Sequence, residues 1–213
     1  MNKTNFRDWT IDELEKTFTL TQIWTLSTLT LWIDSSVNLE INEYEFYLLK
    51  QWRQKLIYRG DSWNEIELIE HFIAPILALV DFNTEKFGLF MERSLKAVID
   101  EYELVGEPDA MIATGRRLPE IPYFCFHEYK KENEPKGDPL GQTLAAMLAS
   151  QSLNKNGNPI YGLYVTGERW RFIVLEGKEY SISLPYSSVK DELFEIFRLL
   201  KCLKQIIEKL VEE

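Results

Sequence analysis

Apolar residues recur with a helical period through the first eighty positions. Ile11, Leu14 and Phe18 follow one such period. Thr10 and Glu13 precede it at capping-box spacing, in which each side chain accepts from the other's backbone N–H. Ile23, Leu26, Trp32 and Ile33 predict a second helix, stopped by Asp34-Ser35-Ser36. A third is expected from about 40 to 58, through Tyr44, Tyr47, Leu48 and Trp52, and ends at Gly60-Asp61-Ser62. These aromatics carry no evident chemistry and are expected in the core. A fourth helix should run from 63 to about 80 and bend at Pro75, which lacks a backbone donor.

Shorter apolar runs then predict strands. One is read over 89–98, and another over 109–113, after Gly106. Thr114-Gly115-Arg116-Arg117 begins a turn, and the two arginines are expected in solvent, with contact to phosphate as the lesser alternative. Pro119 and Pro122 bracket the next strand, 123–130, and 131–136 is a charged loop. Asp138-Pro139 is a helix start, an acidic N-cap followed by proline at the first position, and this helix should reach about 153. Strands over 160–166, 169–175 and 179–184 are separated by hairpin turns at Gly167-Glu168 and Gly177-Lys178. The last helix, 188–211, has Leu193, Ile196, Leu200, Leu203, Ile207 and Leu210 on one stripe. The order predicts an α/β fold: a mixed β-sheet flanked by helices, with N-terminal helices (1–60) and a C-terminal helix packed on a core within 61–213, a single structural domain overall.

Composition narrows the function classes. The chain has 213 residues, 45% of them hydrophobic, which is enough for a large core and unlike a disordered chain. No apolar run has the length of a membrane span and no leader pattern is visible, so no membrane partner is expected. The two cysteines, Cys125 and Cys202, sit in apolar patterns and read as buried thiols of a reducing, cytoplasmic setting. With two histidines, His71 and His127, a Cys/His zinc site is not expected. The net charge of −10 counts against a protein that coats nucleic acid unaided.

The chemistry gathers at the strand Tyr-Phe-Cys-Phe-His-Glu-Tyr-Lys, 123–130. Alternation puts Glu128 and Lys130 on one face, together with Phe124 and Phe126, so an apolar strand should emerge into a polar pocket. Glu-x-Lys also occurs at Glu134/Lys136 and Glu176/Lys178, but there it lies in a charged loop and a hairpin turn. Asp109, at the start of the preceding strand, should come to lie beside Glu128. Two neighbouring carboxylates repel unless a cation lies between them, and Mg2+ or Mn2+ suits such oxygen ligands. A lysine beside them can orient a water or stabilise charge on a phosphate. Glu65 has two readings. With Ser62 it has the spacing of a capping box; on a helical wheel it shares the core-facing stripe of Ile69, Phe72 and Ile76, where a carboxylate needs a partner such as a metal. Gln142, on a helix face continued by Ala145, Ala146 and Ala149, either reaches the site or is exposed. His127 points away from Glu128 and reads as a packed strand histidine.

Pro108-Asp109 with Glu128-Tyr129-Lys130 resembles the motif of the PD-(D/E)xK nuclease superfamily, and the look-alike nearest in pattern is the N-terminal nuclease domain of type I restriction-enzyme R subunits. Gln142 matches a glutamine often found in the family's following helix. The segment Asn64-Glu65 to Phe72-Ile73-Ala74-Pro75-Ile76-Leu77 is similar to its first helix, which carries an acidic residue. The likeness covers roughly residues 63–154. It implies a restriction-endonuclease-like sheet, metal held by Glu65, Asp109 and Glu128, and catalysis by Asp109, Glu128, Lys130 and Gln142. It also implies cleavage of nucleic acid, DNA ahead of RNA, in defence against foreign DNA or in repair. A catalytically silent binding or regulatory module on the same fold is the alternative. Both leave room for a homodimer or for partner proteins encoded elsewhere.

Overall fold

The computed structural model describes residues 2–131 and 137–212. It opens with β1 (Asn2–Asn5), a 3-10 turn and α1 (Ile11–Phe18), whose capping box joins Thr10 and Glu13 as expected. Then come β2 (Thr21–Gln22), α2 (Ser27–Ser36) and α3 (Glu43–Arg59). The N-terminal sixty residues are therefore not wholly helical. β1 pairs in parallel with β5 (Tyr102–Gly106), and β2 with β10 (Glu179–Ile182). The helix expected from 63 to 80 is broken into α4 (Glu65–Leu68), a π-helical turn (Ile69–Ile73) and α5 (Ala74–Val80). Pro75 cannot donate to a helical carbonyl, and the wider π turn lies directly before it.

The strand read over 89–98 is two strands, β3 (Gly88–Met91) and β4 (Leu95–Ile99). Glu92 lies between them with φ of 48°. The left-handed backbone there ends the first strand. β3 joins the main sheet through β6 (Ala110–Thr114), whereas β4 pairs with β5 in a small second sheet of order β1-β5-β4. β7 (Glu120–Lys130), α6 (Pro139–Asn154) and β8 (Ile160–Thr166) form a crossover unit with β7 and β8 parallel. β9 (Arg169–Glu176) and β10 follow as hairpin strands, with Gly167 and Gly177 at φ of 58° and 60° in the two expected turns. β11 (Tyr186–Ser187) adds to β9. The chain ends in α7 (Glu192–Glu212), four residues shorter at its start than the pattern suggested.

The main sheet runs β2-β10-β9-β8-β7-β6-β3, is mixed, and has helices on both faces. The fold is thus α/β, as the element order predicts. One face packs against α2, α3, α5 and α7, where the α7 stripe of Leu193, Ile196, Leu200, Leu203 and Ile207 is buried. Trp32 of α2 donates from Nε1 to the Leu199 carbonyl of α7 at 2.9 Å, pinning the two helices together. The other face packs against α1, α6 and the small sheet. Not every N-terminal aromatic serves this core: Tyr44 and Tyr47 of α3 are 67% and 59% exposed, because α3 turns that side away from the sheet. Cys125 and Cys202 are buried and free, as expected. No helix among the described residues is long and apolar enough to cross a membrane.

Candidate active site

The strand pair that carries the acids is set by register. β6 and β7 are antiparallel, with Ala110 opposite His127 and Met111 opposite Phe126. One step further along the ladder places Asp109 opposite Glu128. Directly opposed residues of an antiparallel pair point to the same face. Asp109 Oδ2 accepts from the Tyr129 backbone N–H at 2.6 Å, so its carboxylate is held against β7. Lys130 Nζ lies 3.0 Å from Glu128 Oε1 and 3.4 Å from Glu65 Oε2. The lysine therefore bridges a strand carboxylate and a helix carboxylate.

The register of β7 against β6 shifts at two steps, between Ile112 and Ala113 and between Ala113 and Thr114, and the first changes the facing of the strand. Ala113 pairs with Tyr123 but Ile112 with Cys125, so one residue is inserted in β7. The inserted Phe124 packs on the α2–α7 side, edge-on to Phe87, while Phe126 packs on the α6 side. Phe124 and Phe126 are on opposite faces, contrary to the simple period, because a bulge resets it. Glu128 and Lys130 lie C-terminal to the bulge and keep the shared face expected of them.

The two readings of Glu65 also resolve. The cap of α4 is Asn64, in a reciprocal box with Glu67. Ser62 instead donates to the Arg59 carbonyl. Glu65 is left at the first helical position with its carboxylate turned to Lys130. Gln142 is 8% exposed, one turn into α6, and lines the same cleft as Glu65, Asp109, Glu128 and Lys130. That cleft has a volume of about 800 Å³. Arg7, Asp8 and Ser94 also line it, and nothing in their sequence spacing announced them. They arrive because β1 and β4 flank β5 in the small sheet. His127 is on the opposite face, fully buried, sharing a 2.7 Å hydrogen bond between its Nδ1 and the Tyr129 hydroxyl. Burial pushes its pKa down to about 3, so it stays neutral. Glu176/Lys178 lies at the β9–β10 turn, where Lys178 donates to the Phe18 carbonyl at 3.0 Å. Lys136 lies outside the described residues.

The electrostatics of the cleft are those of crowded, half-dry carboxylates. Burial raises Asp109 to about 6, despite the Tyr129 hydrogen bond and Lys130. Burial and the Asp109 charge raise Glu128 to about 7, against the pull of Lys130. Burial alone would lower Lys130, but the attraction of Glu128, Asp109 and Glu65 outweighs it and the ammonium is held above its ordinary range. Among the described residues, no group of three or more His, Cys, Asp or Glu side chains is arranged to hold a metal ion as it stands. Glu65 approaches Lys130 rather than joining a three-carboxylate cluster. The donor chemistry nonetheless fits a small hard cation. Mg2+ is bound through one or two carboxylates with several retained waters. Asp109 is half-buried and Glu128 buried, and the two carboxylates share the single cation Lys130 with Glu65. No protein-family model matches this chain, and no curated protein sequence matches it.

Proposed function

We propose that the chain is a metal-dependent nuclease of the PD-(D/E)xK type, hydrolysing phosphodiester bonds of nucleic acid, with DNA as the first substrate to test. The observation that carries this reading is the meeting of Asp109, Glu128 and Lys130 at the ends of two paired strands, with Lys130 Nζ 3.0 Å from Glu128. Asp109 and Glu128 would hold Mg2+ or Mn2+, with Glu65 able to join them by leaving Lys130. A bound ion of this kind polarises a phosphoryl oxygen and lowers the pKa of a water. Lys130 stays protonated near neutral pH, so it serves as a cation and hydrogen-bond donor rather than as a base. It orients the attacking water and offsets charge on the phosphate as the phosphorus–oxygen bond breaks. Gln142 lines the cleft beside Gly137 and can donate to the substrate.

The test is cleavage of single- and double-stranded DNA and of RNA, at low salt, with Mg2+ or Mn2+. Metal-dependent cleavage lost in Asp109→Ala is expected. An absence of cleavage in every substrate and metal would overturn the reading in favour of a silent binding module, which the net charge of −10 favours.

A further inference from the structure

The cleft just described is a poor place to grip a polyanion. Asp8, Glu65, Glu107, Asp109 and Glu128 line it, against Arg7 and Lys130. In a chain of net charge −10, affinity for nucleic acid has to come from a local cationic surface. A second cavity, of about 680 Å³, supplies one at the outer edge of the main sheet. Arg93, Arg116 and Arg117 line it, with Glu85 the one carboxylate among its lining residues. All three arginines are exposed, and among the described residues none forms an ion pair. The cleft between α3 and α7 contrasts with this: its Arg53 is already bound to Asp191 at 2.7 Å.

The position of the cavity ties it to the catalytic cleft. β3 is the terminal strand of the sheet, so one of its edges is unpaired. Gly88 pairs with Ala113 at one end of β3 and Met91 with Ala110 at the other. Arg116 and Arg117 follow the first end, in the turn after β6. Arg93 follows the second, and its neighbour Glu92 donates from N–H to the Asp109 carbonyl at 3.1 Å. The arginines thus bracket a strand edge that leads to Asp109. The four steps from Ala110 to Thr114 span about 14 Å, or about four nucleotides of rise along one strand of a duplex.

We propose that the groove along the open edge of β3, between Arg93 and the Arg116–Arg117 turn, binds the sugar-phosphate backbone of a nucleic acid and delivers it to the Asp109–Glu128–Lys130 cleft. The proposal rests on the nuclease reading for its destination but not for its binding step. Guanidinium groups suit this role, since their donors pair with phosphate oxygens in fixed geometry.

The experiment is fluorescence anisotropy of a labelled DNA single strand and duplex across a salt series, in Mn2+, on the Lys130→Ala background so that bound DNA persists. Arg116→Ala/Arg117→Ala should weaken binding about tenfold or more at low salt and reduce the slope of log affinity against log salt by about 1.4–1.8, the value for two lost phosphate contacts. Arg93→Ala should act in the same direction. Lys55→Ala/Arg59→Ala, an equal charge loss on α3, should leave affinity and slope unchanged. Equal slopes in the wild-type groove and the arginine variants would overturn the proposal. So would a loss matched by the α3 control, which would mean that net charge alone is felt. Cleavage assays separate this from the function itself. Wild-type cleavage with unaltered binding in the groove variants removes the groove and leaves the nuclease. Groove-dependent binding without any cleavage retains the groove and removes the nuclease.

Discussion

Asp109 and Tyr129 are joined by a 2.6 Å hydrogen bond from the Tyr129 backbone N–H to the Asp109 carboxylate. This contact ties an acid just before β6 to the strand that carries Glu128 and Lys130. It fixes the two acids side by side in a half-dry cleft, where burial raises both and the Asp109 charge raises Glu128 further. Three consequences concern this cleft and two the packing that supports it.

The first is a pH-dependent stability without metal. Folded pKa values of about 6 for Asp109 and about 7 for Glu128 exceed those of an unfolded chain, so folding takes up protons. The stability tied to them is fully present below about pH 4 and is lost as pH rises through 6 and 7. Melts in EDTA should therefore show a decline over that window. Asp109→Asn keeps an acceptor for the Tyr129 N–H and removes the charge. It should flatten the decline and gain about 1–3 kcal/mol at pH 8.

Manganese should reverse the wild-type penalty. Binding to the native state alone stabilises the fold by mass action, by about 2.7 kcal/mol at a hundredfold excess over Kd, and so raises the melting temperature. The shift should be larger at pH 8 than at pH 5.5, since the ion competes with protons. Equal shifts in Asp109→Ala would show that the ion binds elsewhere.

Lys130→Ala should lower cleavage by about 10²-fold or more with the fold retained, and should lower the metal-free melting temperature because Glu128 loses its counter-charge. Lys178→Ala supplies the contrast. Its ammonium ties the β9–β10 turn to the Phe18 carbonyl, so its removal should cost about 0.5–1.5 kcal/mol and leave the rate alone. A kinetic assay beside a denaturant titration checks both.

On the far side of β7, the buried pair His127–Tyr129 should behave as a unit. His127 Nε2 already has no partner among the described residues. Tyr129→Phe would orphan Nδ1 as well, at a cost of about 1–3 kcal/mol. Replacing both residues by phenylalanine should cost less than the sum of the single changes. A double-mutant cycle measures this.

Gly141→Ala should destabilise the chain by about 1–3 kcal/mol, through overpacking. A Cβ there would collide with the Trp9 carbonyl oxygen, since α6 meets the N-terminal segment backbone to backbone. The Asp138 carboxylate, which caps α6 through the Gly141 N–H, also accepts from the Ile11 N–H at 2.9 Å. Thermal melts should show the loss, and activity per folded molecule should persist.

The sequence by itself determined the features that short-range geometry encodes. The capping box at Thr10, the helix start at Asp138-Pro139, the glycine hairpin turns and the α7 stripe all follow from contacts within a few residues, and all stand where the pattern puts them. The pairing of the two acid-bearing strands was legible for the same reason, because a short connection leaves few other partners. Tertiary structure alone decided the rest. β1 and β2 are too short to show a period and exist because distant strands offer them a free edge. The bulge at Tyr123–Phe124 is invisible to an alternation rule, since it shows only in the register that β7 takes against β6. The same holds for the cleft. The residue types at 65, 109, 128, 130 and 142 were readable one by one. Bringing them together required β5, α4 and α6 to close around the end of β7, and Arg7 and Asp8 joined them only through the pairing of β1 with β5. Contacts across a hundred residues depend on where the whole core places each backbone, and no local pattern carries that information.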